Sequence, residues 1–222
     1  MKPSVETLPN YSKRDEIINS LTHLVGFVFG LALLIFFIIF CFTKNLKFGY
    51  MIPYFVYSIS MMVVFGVSTI YHSAKLKSKA KAVLRVIDHS DIYFLIFGTY
   101  LPLCLYGITN TTVMITAIIL ESVFMIAGIV LNVIPIDNNI MKVIAYIIYI
   151  IDGWLMLFLY PFGIGMDFYV FLFVLLGGVI YTIGAILYAI GKKKIYFHSI
   201  FHVFVLLGAI TQFIGVYLLL TK

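Results

Sequence analysis

Charge is the scarcest feature of this chain. Lys, Arg, Asp and Glu together make up only 11% of its 222 residues against 63% apolar, and the mean hydropathy is +1.12. A soluble domain carries roughly 25% charged and 45–50% apolar residues, so a water-soluble fold is excluded and an integral membrane protein is indicated. Cysteine is nearly absent. Cys41 and Cys104 stand inside apolar runs with no Cys-x-x-Cys or Cys/His spacing around them, and both read as small packing residues. An apolar run at the very start is also missing: residues 1–18 are polar, with Lys2, Glu6, Lys13, Arg14, Asp15 and Glu16. The first apolar run then continues past the length of a signal-peptide core, so insertion is expected to use the first transmembrane helix itself. There is no internal repeat, no low-complexity segment and no polar stretch long enough for a soluble domain.

What the chain does have is apolar runs of bilayer length. Taking about 20 apolar residues as one crossing, the sequence predicts an all-α bundle of seven transmembrane helices near 20–42, 48–72, 86–107, 111–133, 141–161, 168–190 and 197–220. Residues 1–19 would form an N-terminal segment and 20–222 the transmembrane domain. Ser12-Lys13-Arg14-Asp15 has the Ser-x-x-Asp form of a capping box, which predicts a short interfacial helix leading into the first crossing. Pro102 removes a backbone hydrogen bond in the third crossing, where a tolerated packing kink is expected.

The basic residues give an orientation. With the N-terminus inside, the cytoplasmic side collects Lys2, Lys13 and Arg14, then Lys75, Lys77, Lys79, Lys81 and Arg85, then Lys142, then Lys192, Lys193 and Lys194. Only Lys44, Lys47 and Lys222 fall outside. The positive-inside rule therefore predicts a cytoplasmic N-terminus and an external C-terminus in a multi-pass cell-membrane protein. The net charge of +6 is topological, and no nucleic-acid partner is expected.

In that orientation all five histidines, His23, His72, His89, His198 and His202, fall near the cytoplasmic leaflet. His198 and His202 are four apart and share one helix face, a spacing at which two imidazoles can meet one metal ion. Asp88 and Asp91 join them at the start of the third crossing, and Ser68 stands one turn deeper than His72. Intramembrane ionisable groups are costly and normally have partners, and a metal is a natural one. Three neutral imidazoles and a water complete a tetrahedral zinc shell with the open position of a catalytic site; a carboxylate beside the water can take its proton. His72, His198 and His202 with Asp88 form that set by depth. His23, beside Asn19, reads as a group bonding across helices in support, whereas a bond to water or to a carbonyl is the simpler reading of His89. Glu121 and Asp152 fall near mid-membrane with no basic residue at their depth; a shared proton, a proton relay and a hydrogen-bonded packing pair are all open.

These motifs, Glu16-x-x-Asn19-x-x-Thr22-His23-x-x-Gly26, Ser68-x-x-Tyr71-His72, Asp88-His89-Ser90-x-Ile92-Tyr93, Gly98-Thr99-Tyr100-x-Pro102, Gly153-Trp154 and His198-x-x-x-His202, together resemble the hemolysin III family. That family is the bacterial branch of the progestin and adipoQ receptor superfamily. The likeness spans essentially the whole chain, and its specificity lies in the joint order and spacing. It implies a seven-helix protein with a cytoplasmic-side zinc site, in which His72, His198 and His202 are ligands, Asp88 bonds the zinc-bound water and Ser68 lies close by. The wider superfamily is similar to the alkaline ceramidases, which hydrolyse lipid amides with a comparable Ser, Asp and three-His set. Hemolysin III members are named for cytolytic, pore-like activity and are linked to membrane-lipid homeostasis. Two positions depart from the pattern: Asp91 stands where Gly is usual, and Asp152 replaces an apolar residue before Gly153-Trp154.

Three functions compete on these grounds. The first is a zinc-dependent hydrolase of a lipid amide or ester, with a membrane lipid or fatty-acyl substrate, Asp88 as general base and then acid, and Ser68 stabilising the oxyanion. The second is a pore-forming protein or transporter with structural zinc, supported by Glu121 and Asp152. The third is a lipid-sensing receptor or regulator, which rests on fold analogy alone.

Overall fold

In the computed structural model, residues 4–134, 139–162, 164–191 and 196–222 are described. Among them the chain is helical throughout and holds no strand. The helices are α1 (Lys13–Thr43), α2 (Phe48–Ser73), α3 (Lys79–Ser90), α4 (Ile92–Pro102), α5 (Thr111–Val133), α6 (Asn139–Gly153), α7 (Leu155–Leu159), α8 (Phe168–Gly191) and α9 (Tyr196–Leu220). Five of them, α1, α2, α5, α8 and α9, are long and apolar enough to cross a membrane. Their outer faces are rich in exposed Ile, Val, Leu and Phe, for example Ile35, Phe42, Ile119, Ile126 and Ile186. Hydrocarbon covers such surface at no cost, and helices satisfy their backbone groups internally, so a bilayer is the solvent these residues fit.

Polar residues at the helix starts fix where each begins. The Ser12 hydroxyl accepts from the Asp15 amide at 3.1 Å and the Asp15 carboxylate accepts from the Ser12 amide at 3.2 Å, completing the expected capping box. The helix after this box is not a separate interfacial piece. α1 runs unbroken for 31 residues across the expected boundary at 19 and 20, preceded only by a 3-10 turn at Val5–Thr7. At 1.5 Å per residue it is about 46 Å long against a hydrocarbon core of about 30 Å, so its first turns carry Glu16, Asn19 and His23 alongside the end of α2. Ser78 caps α3, Asn110 caps α5 and Asp167 caps α8.

The runs 86–107 and 141–161 are built from pieces. α3 and α4 divide at Asp91, yet its backbone stays right-handed helical, its amide reaches Ile87 and its carbonyl accepts from Leu95, so the chain continues onward. After Pro102 the hydrogen bonding slips to a π-helical turn over Leu103–Gly107, one of the ways a helix absorbs the amide that proline lacks. α6 and α7 divide at Trp154, whose indole donates to Thr182 on α8 at 3.2 Å.

α1 packs on α2 and α9, α8 packs on α9, α4 touches α2, α5, α6 and α9, and α3 folds back over α2 and α5. The core between them is aromatic and aliphatic, with Phe37, Tyr54, Tyr57, Phe65, Met61 and Leu103 fully buried. Cys41 and Cys104 are free and buried, as packing residues would be. Lys2, Lys192, Lys193 and Lys194, and the side chain of Lys142, lie outside the described residues.

Candidate metal centre

The end of α2, the first turns of α1 and the first turns of α9 meet at one end of the bundle. His72, His198 and His202, all at most 7% exposed, each offer one ligand atom, and these atoms lie within 4.8 Å of one another. His198 Nε2 and His202 Nε2 are 3.0 Å apart. Tetrahedral zinc with bonds of about 2.0–2.1 Å places its ligand nitrogens about 3.3–3.4 Å apart. The pair on α9 is near that spacing.

The surroundings of the imidazoles test the fit further. His72 Nδ1 donates to Glu16 Oε2 at 2.7 Å, which leaves His72 Nε2 buried and without a hydrogen-bond partner. His202 Nδ1 faces His23 Nε2 at 2.5 Å; with the proton on His202 Nδ1, its Nε2 keeps a lone pair. Metal-bound imidazoles ordinarily have their second nitrogen held in this way, and two of the three are. The donor set therefore fits a metal ion. Tyr11, just ahead of α1, stacks on His198 with ring centroids 4.7 Å apart and planes 18° apart, and burial pushes its phenol pKa up.

The acidic groups sort into two sites. Asp88 is in electrostatic reach of His72, His198 and His23 and makes a 3.5 Å ion contact with His89 Nδ1. Ser68 Oγ is buried beside Asp88 but makes no hydrogen bond of normal geometry. His89 is held in turn by Tyr188, Nε2 to hydroxyl at 3.1 Å, so it positions Asp88 instead of joining the three-histidine cluster. Asp91 is buried and interacts with Asp88; both of its carboxylate oxygens lack a hydrogen-bond partner among the described residues. Asn19 is fully buried between Glu16 and His23 on α1, with neither amide atom bonded among the described residues. Glu121 and Asp152 lie against each other away from the histidines, each 1% exposed, with no donor to their four oxygens among the described residues.

Residues 11–213 match the haemolysin-III related family. The chain belongs to that family. It is 32% identical over 204 residues to a hemolysin-3 homolog of Bacillus subtilis (strain 168), covering 91% of this chain and 93% of the relative. It is 31% identical over 201 residues to a hemolysin-3 of Bacillus cereus, covering 90% and 89%. A haemolysin-III related chain with five long apolar helices is a multi-pass membrane protein, consistent with the bacterial plasma membrane.

Sequence reasoning missed the support beneath this haemolysin-III site. Glu16 lies 56 residues from the histidine it holds, and Lys81, grouped with the loop lysines, is only 1% exposed. Lys81 Nζ pairs with Glu16 Oε1 at 3.0 Å and donates to the Tyr71 carbonyl at 2.8 Å. The available signal was the spacing of Glu16, Asn19 and His23, which recur at three and seven residues and so share one face of α1.

Proposed function

We propose that this protein is a zinc-dependent membrane hydrolase acting on a lipid amide or ester, crossing the bilayer seven times with its N-terminus in the cytoplasm. The observation that carries the reading is the convergence of three buried imidazoles from two helices with a carboxylate, Asp88, in electrostatic reach of two of them. Zinc, when bound, supplies Lewis acidity and lowers the pKa of a water molecule towards about 7. Glu16 and His23 would hold His72 and His202 in the tautomers that leave a lone pair on Nε2 for a bound ion. Asp88, positioned by His89, accepts the proton of the attacking water and passes it to the departing nitrogen or oxygen, so that water is added across the acyl bond. Ser68 Oγ–H, buried beside Asp88, donates to the carbonyl oxygen as negative charge grows there. The orientation rests on the basic loops, and the two crossings beyond the five long helices rest on the segmented α3–α4 and α6–α7 runs.

Elemental analysis of the purified protein and lipidomic comparison with His202→Ala test the reading together. One zinc per chain is expected in the wild type and none in the variant, with a lipid amide or ester accumulating when the variant replaces it. A His72→Ala protein that keeps both its zinc and full lipid hydrolysis sinks the proposal. The buried Glu121–Asp152 pair favours a second reading, a channel or transporter with structural metal; liposome leakage undiminished in His202→Ala would support it.

A further inference from the structure

Beside the metal centre, a groove of about 700 Å³ runs between the first turns of α1 and the end of α2. Glu16 and His72 line its inner side, and Ile17 and Leu21, 58% and 57% exposed, line its outer side. Those two side chains belong to the same apolar face of α1 that continues through Leu24, Val25 and Val28. The groove is thus continuous with the lipid-facing surface, and an amphiphile in the bilayer reaches it without leaving the membrane. Its volume lies within the roughly 300–1,000 Å³ of small-molecule sites.

Two cations decide what kind of amphiphile fits. Lys13 and Lys75 also line the groove, both exposed and neither with a carboxylate partner among the described residues. Glu16 does not neutralise them, because its two oxygens face His72 and Lys81. Asp15 is taken up by the capping box with Ser12. Lys13 is moreover the first residue of α1, where the helix dipole adds to its charge. A zwitterionic headgroup would set a further cation beside the two ammonium groups, whereas an anionic headgroup meets them with net negative charge at the membrane surface.

We propose that this groove binds an anionic phospholipid, with an acyl chain along Ile17 and Leu21 and the headgroup phosphate at Lys13 and Lys75. The occupant's acyl linkage then lies on the His72 side. The inference rests on the hydrolase reading only for the fate of the bound lipid; the binding itself is measured separately.

The experiment uses the full chain in nanodiscs with spin-labelled phosphatidylglycerol and spin-labelled phosphatidylcholine carrying the same acyl chains, reading the motionally restricted fraction of each. The wild type is expected to hold phosphatidylglycerol at least about three-fold more strongly than phosphatidylcholine, a preference that falls with added salt. K13Q/K75Q is expected to bring the ratio to about one, while the charge-matched K77Q/K79Q, between the end of α2 and the start of α3 but outside the groove, leaves it as in the wild type. Equal retention of the two lipids by the wild type overturns the proposal. So does unchanged selectivity in K13Q/K75Q, or an equal loss in both double variants, which would mark general attraction to a basic surface. His202→Ala separates the two claims: hydrolysis that is equal in the wild type and in this variant removes the hydrolase and leaves the groove standing, whereas loss of hydrolysis with the lipid selectivity gone from the wild type itself removes the groove and leaves the hydrolase.

Discussion

Lys81, Glu16 and His72 form a buried relay in which each member needs the next. The ammonium pairs with Glu16, the carboxylate holds the His72 Nδ1 proton, and the other nitrogen is thereby available to a metal. Glu16→Gln keeps the shape but loses the charge, and is expected to weaken metal binding about 10–100-fold in a chelator competition. Lys81→Met strands Glu16 as a buried anion and should cost about 3–5 kcal/mol of stability, part of which returns in the Glu16→Gln/Lys81→Met double variant, where no charge is left alone. Additive losses in thermal unfolding would argue against the relay. The three histidines of the centre were legible because two sit one helical turn apart and the third ends another apolar run. Glu16 and Lys81 were not, because a charged residue near a helix end reads as solvated until the packing of a neighbouring helix is known. Lys81 is desolvated only because α3 folds back across the end of α2.

At the scale of elements, the two α9 histidines stand where the packing of α8 on α9 puts them. That contact is close because small residues recur seven apart on both helices: Gly177 and Gly184 on α8, Gly208 and Gly215 on α9. A Cβ on Gly215 would lie 3.1 Å from the Val170 carbonyl oxygen, and one on Gly184 would lie 3.1 Å from Phe204 Cβ. Small residues that let helices approach closely are a common basis of association in lipid, where no hydrophobic effect pulls helices together. Gly215→Leu is expected to cost about 1–3 kcal/mol and to lower bound metal as α9 moves away. Gly49, where a Cβ would touch nothing, serves as the comparison: Gly49→Ala should raise thermal stability slightly, by about 0.5–1 kcal/mol. A metal content unchanged in a destabilised Gly215→Leu protein would uncouple the seam from the centre. The five long helices followed from apolar length alone. The breaks at Asp91 and Trp154 and the π turn after Pro102 did not, because an unbroken hydrophobic run carries no record of where backbone hydrogen bonds slip by one residue.

For the whole molecule, the property with the plainest test is which way the chain faces. Cys41 and Cys104 are buried, so a cysteine introduced at a loop reports by itself when a membrane-impermeant maleimide is added. Lys79→Cys is expected to react only in inside-out vesicles and Lys47→Cys only in intact cells; the opposite pattern would reverse the orientation and move the histidines to the outer face. An all-helical membrane class was readable from composition. The depth of the five histidines was readable only as a pattern, since nothing in a linear chain says that α1, α2 and α9 are neighbours.

The contact of α1 with α9 has a consequence for biogenesis. His23 and Tyr11 are among the first residues made, and the imidazoles they meet, on His202 and His198, are among the last. The centre closes only once the ribosome has released the C-terminal helix into the membrane. A nascent chain arrested before residue 198 would thus hold His72 without the two imidazoles it meets, and the three-histidine cluster is completed only at the end of assembly.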